Sequence, residues 1–167
     1  MTDLYFWGQS LDNQARDVIF KNGKELSDDE SRQQLVSEIY EFPKSDSEVV
    51  SADSAVTIRY SYSKFVIEAI PTEKDELKRL APIVIYGVLP DGVLEASWVD
   101  KVYEEINNFV SNTLNRNLNH STLATIKGGL SEILKKKTED SQINLLSRLK
   151  RLLERLANCI KLLGTRC

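Results

Sequence analysis

Few residues of this 167-residue sequence have both the type and the spacing to do chemistry. His120 is its single histidine, which excludes zinc sites built on paired histidines and any histidine relay. Standing after the Asn-rich stretch Asn115–Asn119, it reads as a helix-start or solvent residue rather than a general base. Cys159 and Cys167 are the only cysteines, and their separation gives neither a disulfide framework nor a zinc-ligand pattern. Cys159 reads as a thiol at the edge of an apolar helix stripe. Lys127-Gly128-Gly129 suggests a phosphate loop, yet neither G-x-x-x-x-G-K-[ST] nor G-x-G-x-x-G is present, so a hinge or a close helix contact is expected. Asp28, Asp29 and Glu30 are the type of residues that bind a cation, but capping and dipole compensation at a helix start account for all three. The sequence therefore predicts no catalytic set, no metal and no cofactor, and the protein is not expected to be an enzyme.

The remaining candidate is a surface. Leu145, Leu149, Leu152, Leu153, Leu156, Ile160 and Leu163 fall in one wide stripe of a helix, and Arg148, Arg151 and Arg155 fall within roughly 60° on its flank. Lys150 and Lys161 lie on the other flank with Glu154. Such a stripe serves as bundle core, as a seam for self-association, or as a basic amphipathic face. We expect an interaction seam at Leu149, Leu153, Leu156 and Ile160, beside the basic stripe Arg148, Arg151 and Arg155. The partner expected first is the protein itself or another protein. A nucleic-acid-binding module using the arginines is the alternative. Weak contact with a membrane surface also stays open, while no stretch reaches the roughly 18 apolar residues of a transmembrane segment.

Charge distribution sharpens this reading. The net charge is 22 − 25 = −3. Residues 1–100 hold 10 basic and 19 acidic residues (−9), and residues 101–167 hold 12 and 6 (+6). Attraction between the two parts, within a chain or between neighbours, is one consequence, with Asp28–Glu30 as a candidate acceptor. Hydrophobic residues make up 41% and charged residues 28%, ordinary for a globular chain. The start of the sequence lacks the features of a signal peptide, and a cytoplasmic, reducing location is the expectation.

The elements that position these residues divide into a sheet domain over 1–92 and a helical region over 93–167, packed on the sheet or extending from it. Leu4–Trp7 and Val18–Phe20 read as strands, with a turn at Asn22-Gly23. Ser27 is the expected cap of a helix whose apolar face is Leu35, Val36, Ile39 and Phe42, ended by Pro43. Residues 44–54 read as a polar surface loop. Val56–Ser61 and Lys64–Ala69 alternate as a hairpin whose register sets Tyr60 opposite Phe65 and Ile58 opposite Ile67. Thr72–Leu80 reads as a short helix, and Ile83–Leu89 as a strand buried on both faces. That order predicts an α+β protein with a small antiparallel sheet of the ferredoxin-like, split βαβ type. A C-terminal three-helix region follows: one helix after Ser97, a second over about 121–137, and a third from about Asp140 to Leu163.

Overall fold

The computed structural model describes residues 2–9, 17–44, 46–71 and 82–163. Seven antiparallel strands form one sheet: β1 (Asp3–Gln9), β2 (Asp17–Lys21), β3 (Lys24–Glu25), β4 (Glu48–Ala52), β5 (Val56–Ser61), β6 (Lys64–Ala69) and β7 (Ile83–Val88). Their order is β3-β2-β1-β7-β6-β5-β4. Two meanders are thus joined where the first strand of one pairs with the last strand of the other, Tyr5 opposite Tyr86. α1 (Asp29–Glu41) lies on one face, and α2 (Trp98–Asn108) and α3 (His120–Leu163) on the other.

The protein is α+β, as the sequence predicts, but its architecture is not the split βαβ sheet. Helices cover both faces, and the sheet has seven strands. Part of the difference lies in the expected 44–54 loop, which contains the edge strand β4, paired to β5 with a register shift between Val49 and Ser51. Its Ser-rich composition is that of a solvated edge rather than of a loop.

Strand alternation explains the two cores. Leu4, Phe6, Val18, Ile58, Phe65, Ile67 and Ile85 face α2 and α3, whereas Ile19, Val66, Val84 and Tyr86 face α1 through Leu35 and Ile39. β7 is buried on both faces from Ile83 to Gly87, as its continuous apolar run predicts. The hairpin register of Tyr60 with Phe65, Ile58 with Ile67 and Val56 with Ala69 is also as expected. Asn22 (φ 49°) and Gly23 (φ 84°) make the left-handed turn between β2 and β3. The cap of α1 is Asp28, not Ser27: its carboxylate accepts from the Glu30 amide at 3.2 Å and from the Ser31 hydroxyl at 2.8 Å. The helix expected over Thr72–Leu80 lies outside the described residues.

The predicted three-helix region is corrected to two helices. α2 carries Trp98, Val102 and Ile106 inward and runs into a π turn over Phe109–Thr113, closed by the Leu114 amide on the Phe109 carbonyl at 3.0 Å. α3 is continuous for 44 residues, with no break near Asp140. Its first part packs on the sheet through Ile126, Leu130 and Ile133. Gly129 is the point of closest approach, where a Cβ would stand 2.2 Å from Ile58 Cδ1. Thus the Gly128-Gly129 pair marks a close helix contact, one of the two alternatives expected for it, and not a phosphate loop.

Candidate interaction helix

From Gln142 onward α3 leaves the sheet. Of residues 142–162, every one is exposed except Cys159, which is of intermediate exposure. At 1.5 Å per residue, the 23 residues from Ser141 to Leu163 extend roughly 34 Å. Along this length Leu145, Leu146, Leu149, Leu152, Leu153, Leu156 and Ile160 are between 48% and 67% exposed. Positions 145, 149, 152 and 156 repeat with 4-3-4 spacing. Positions 146, 153 and 160 widen the stripe to about 120°, a width typical of a face that packs in a bundle.

The predicted seam residues Leu149, Leu153, Leu156 and Ile160 therefore share one exposed face, uncovered by the described residues. Arg148, Arg151 and Arg155 are also exposed, and none has a salt-bridge partner among the described residues. At about 100° per residue, the arginines sit some 100–160° from Leu149. That is the side on which, earlier in the helix, Ile126, Ile133 and Lys137 face the sheet. Seam and arginine stripe thus occupy different sides of one helix. Asp28–Glu30, the acceptor suggested for the arginines, belong to α1 on the opposite sheet face and do not pair with them within the chain.

An anchor fixes the direction in which the helix projects. Lys137 is 1% exposed, with its Nζ 4.7 Å above the Tyr62 ring. The Tyr60 hydroxyl donates to Asp140 Oδ2 at 2.6 Å. Burial, and then the Asp140 carboxylate, push the Tyr60 phenol above its ordinary value. Ser141 Oγ donates to the Gly92 carbonyl at 2.9 Å, and Asn144 Nδ2 to the Tyr62 hydroxyl at 3.3 Å. Lys136 forms a 3.0 Å ion pair with Glu48 of the edge strand, which raises the Lys136 ammonium. Sequence reasoning gave Lys135–Lys137 to a segment preceding the last helix and so missed this anchor. The available signal was Tyr62 in a glycine-free hairpin turn (φ 41°), an exposed ring positioned to receive a cation.

The described residues hold no group of three or more His, Cys, Asp or Glu that would bind a metal. His120 opens α3 and is exposed, as its place after the Asn-rich stretch suggests. Cys159 is disulfide-bonded, which corrects the free thiol expected there, and Cys167 lies outside the described residues. Beside α2 is an open cleft of about 600 Å³, floored by Phe6 and Phe109, whose rings stack at 4.7 Å, and rimmed by Glu105, Asn108 and Asn112. Burial raises the Glu105 carboxyl. Among the described residues the cleft lining contains no nucleophile paired with a base. No helix among the described residues is long and apolar enough to cross a membrane. No family model, no curated protein and no solved structure matches this chain.

Proposed function

We propose that this protein is a non-enzymatic protein–protein interaction module that self-associates through the projecting half of α3. The observation that carries the reading is the stripe from Leu145 to Ile160, seven large apolar side chains about half to two-thirds exposed on one helix face. An isolated exposed leucine needs no explanation, but a continuous stripe of this length marks an interaction site. The direction of the stripe supports the same reading. It faces away from the side on which α3 contacts its own sheet, so a second copy can approach along it without meeting the sheet of the first. A regulatory role follows if assembly is what a cell controls.

The test is solution mass by light scattering at tens of micromolar, with Leu149→Asp/Leu156→Asp as control. Wild type is expected above monomer mass and the variant at monomer mass with an unchanged circular dichroism spectrum. A monomeric wild type overturns the reading. Nucleic-acid binding through Arg148, Arg151 and Arg155 is the second reading, favoured by their exposure and lack of carboxylate partners. It predicts a shifted nucleic-acid band that Arg→Glu changes at those positions abolish.

A further inference from the structure

We propose that the cleft beside α2 binds a small organic cation, a protonated amine carried on an apolar or aromatic group. Glu105 is its counterion, and the Phe6, Phe20 and Phe109 rings are its floor. Among the described residues none of α3 lines this cleft, so the site lies beyond the self-association reading and stands without it.

Three elements build the walls. Glu105, Asn108 and Asn112 follow helical spacing along α2 and its π turn. The i→i+5 turn adds a residue to this side, so that the sequence neighbours Asn112 and Thr113 both line the cleft. The β2–β3 turn supplies Asn22 and Gly23 opposite them. That turn is held in place, since the Asn22 side chain accepts from the Leu4 amide at 2.8 Å and donates to Asp3 Oδ1 at 3.0 Å. Thr2 is fixed by the Trp98 indole, which donates to its hydroxyl at 2.9 Å. The resulting volume of about 600 Å³ falls within the range of roughly 300–1,000 Å³ typical of small-molecule sites.

The charges of the lining select a cation. Glu105 is the only charged residue in it among the described residues. Glu25 stands opposite Phe20 in the β2–β3 ladder, which places a second carboxylate on this sheet face, whereas Lys21 and Lys24 pair on the other face. Lys101, one turn before Glu105, is turned to Glu95 at 3.6 Å. The Glu105 carboxylate itself has no ion-pair or hydrogen-bond partner among the described residues. Partial burial without such a partner raises the carboxyl above its ordinary value. An anion would be repelled here and a neutral ligand would leave the carboxylate unpaired, while a cation satisfies it. The rings act in the same sense. Phe109 stacks on Phe6 at 4.7 Å and meets Phe20 edge-on at 5.6 Å, and aromatic faces attract both cations and apolar groups. Asn108 and Asn112 also have side-chain amides without partners among the described residues. Their carbonyls can accept the remaining N–H groups of an amine, which favours a protonated amine over a quaternary ammonium.

The test is titration of the full chain with phenylethylamine at neutral pH, followed by backbone amide NMR shifts. Neutral phenylethanol and anionic phenylpropionate serve as matched probes. The amine is expected to bind at least about tenfold more tightly than either, with the largest shifts at Asn22, Gly23, Asn108 and Asn112. Glu105→Gln keeps the size of an exposed side chain, so its amide spectrum should remain that of the folded protein while the preference for the amine disappears. Saturable shifts absent at millimolar amine, equal binding of the three probes, or a preference unchanged in Glu105→Gln each overturn the proposal. Shifts confined to the acidic start of α1 overturn it too, because they mark a surface ion pair away from the cleft.

Discussion

Two adjacent glycines in α3 should respond to alanine with opposite signs. Both sit in helix interior, where alanine is favoured over glycine by about 0.8–1.0 kcal/mol. At Gly128 an added Cβ meets nothing within 4 Å, so Gly128→Ala should stabilise the protein by roughly 0.5–1 kcal/mol. At Gly129 the same Cβ would stand 2.2 Å from Ile58 Cδ1, 3.3 Å from Cγ1 and 3.5 Å from Cβ. Ile58 is fully buried and β-branched, so its side chain has few other rotamers, and its neighbours Ile67 and Ile126 are fully buried too. Overpacking of this kind costs about 1–3 kcal/mol, which the helix propensity gain only partly offsets. The two variants should therefore differ by about 2 kcal/mol, with Gly129→Ala the less stable. Urea unfolding at matched m values measures the difference directly. If both variants are stabilised equally, α3 does not lie on β5 at this distance, and the projection of its distal half has no fixed origin.

Three further outcomes follow from the same contacts. Leu149→Ala/Leu156→Ala removes four half-exposed leucines per dimer at about 1 kcal/mol each, so dimerisation should weaken roughly a thousandfold by sedimentation while monomer stability changes by less than about 0.5 kcal/mol. Tyr60 and Tyr86 are both raised, chiefly by burial and then by Asp140 and Glu38 respectively. Their contribution is complete below about pH 10, where the unfolded phenols are also protonated. It is lost as pH rises above that value, at about 1.4 kcal/mol per pH unit for each tyrosine. Denaturant titrations from pH 9 to 11.5 should show that decline, and Tyr86→Phe should flatten it. Electrophoretic shifts with DNA or RNA at physiological salt should be absent, because a body of net negative charge stands beside the arginines; nanomolar sequence-specific binding would promote the nucleic-acid reading instead.

The hairpin register, the two-sided burial of β7 and the turn at Asn22-Gly23 were legible because each depends on local pattern. A one-residue slip between β5 and β6 would turn Ile58 and Tyr60 out of the core, so alternation alone determines the pairing. The sheet order was not legible. Whether β1 pairs with β7 depends on contacts between residues some eighty positions apart, and no local signal distinguishes that from a split βαβ order. β4 was missed because Glu48–Ala52 is an edge strand, exposed or only partly buried at every residue, with no alternation to read. The distal leucines were legible as a stripe. Their exposure was not, because a leucine stripe has the same spacing whether another helix of the chain covers it or none does.

The expected break near Asp140 has an instructive cause. In the docked part of α3 the buried positions are 122, 126, 129, 130, 133 and 137, whereas the distal stripe runs through 145, 149, 152 and 156. Each set has helical spacing, but the two are out of phase by roughly 140°. A phase change across the run Lys135–Asp140 imitates the end of one helix and the start of another. The chain instead keeps its hydrogen bonding and turns its apolar face away from the sheet. Residues 130–163 contain no Gly or Pro, so the backbone has no reason to stop. A helix whose two halves bury different sides cannot satisfy both on one body. The sheet takes the first half and Lys137 ends its reach, with its charge over Tyr62. The second half presents its leucines on the far side, with Arg148, Arg151 and Arg155 on the side nearer the sheet. This phase shift leaves the leucine face uncovered by the described residues while the proximal half stays docked, and it is the physical reason for proposing self-association through the distal half.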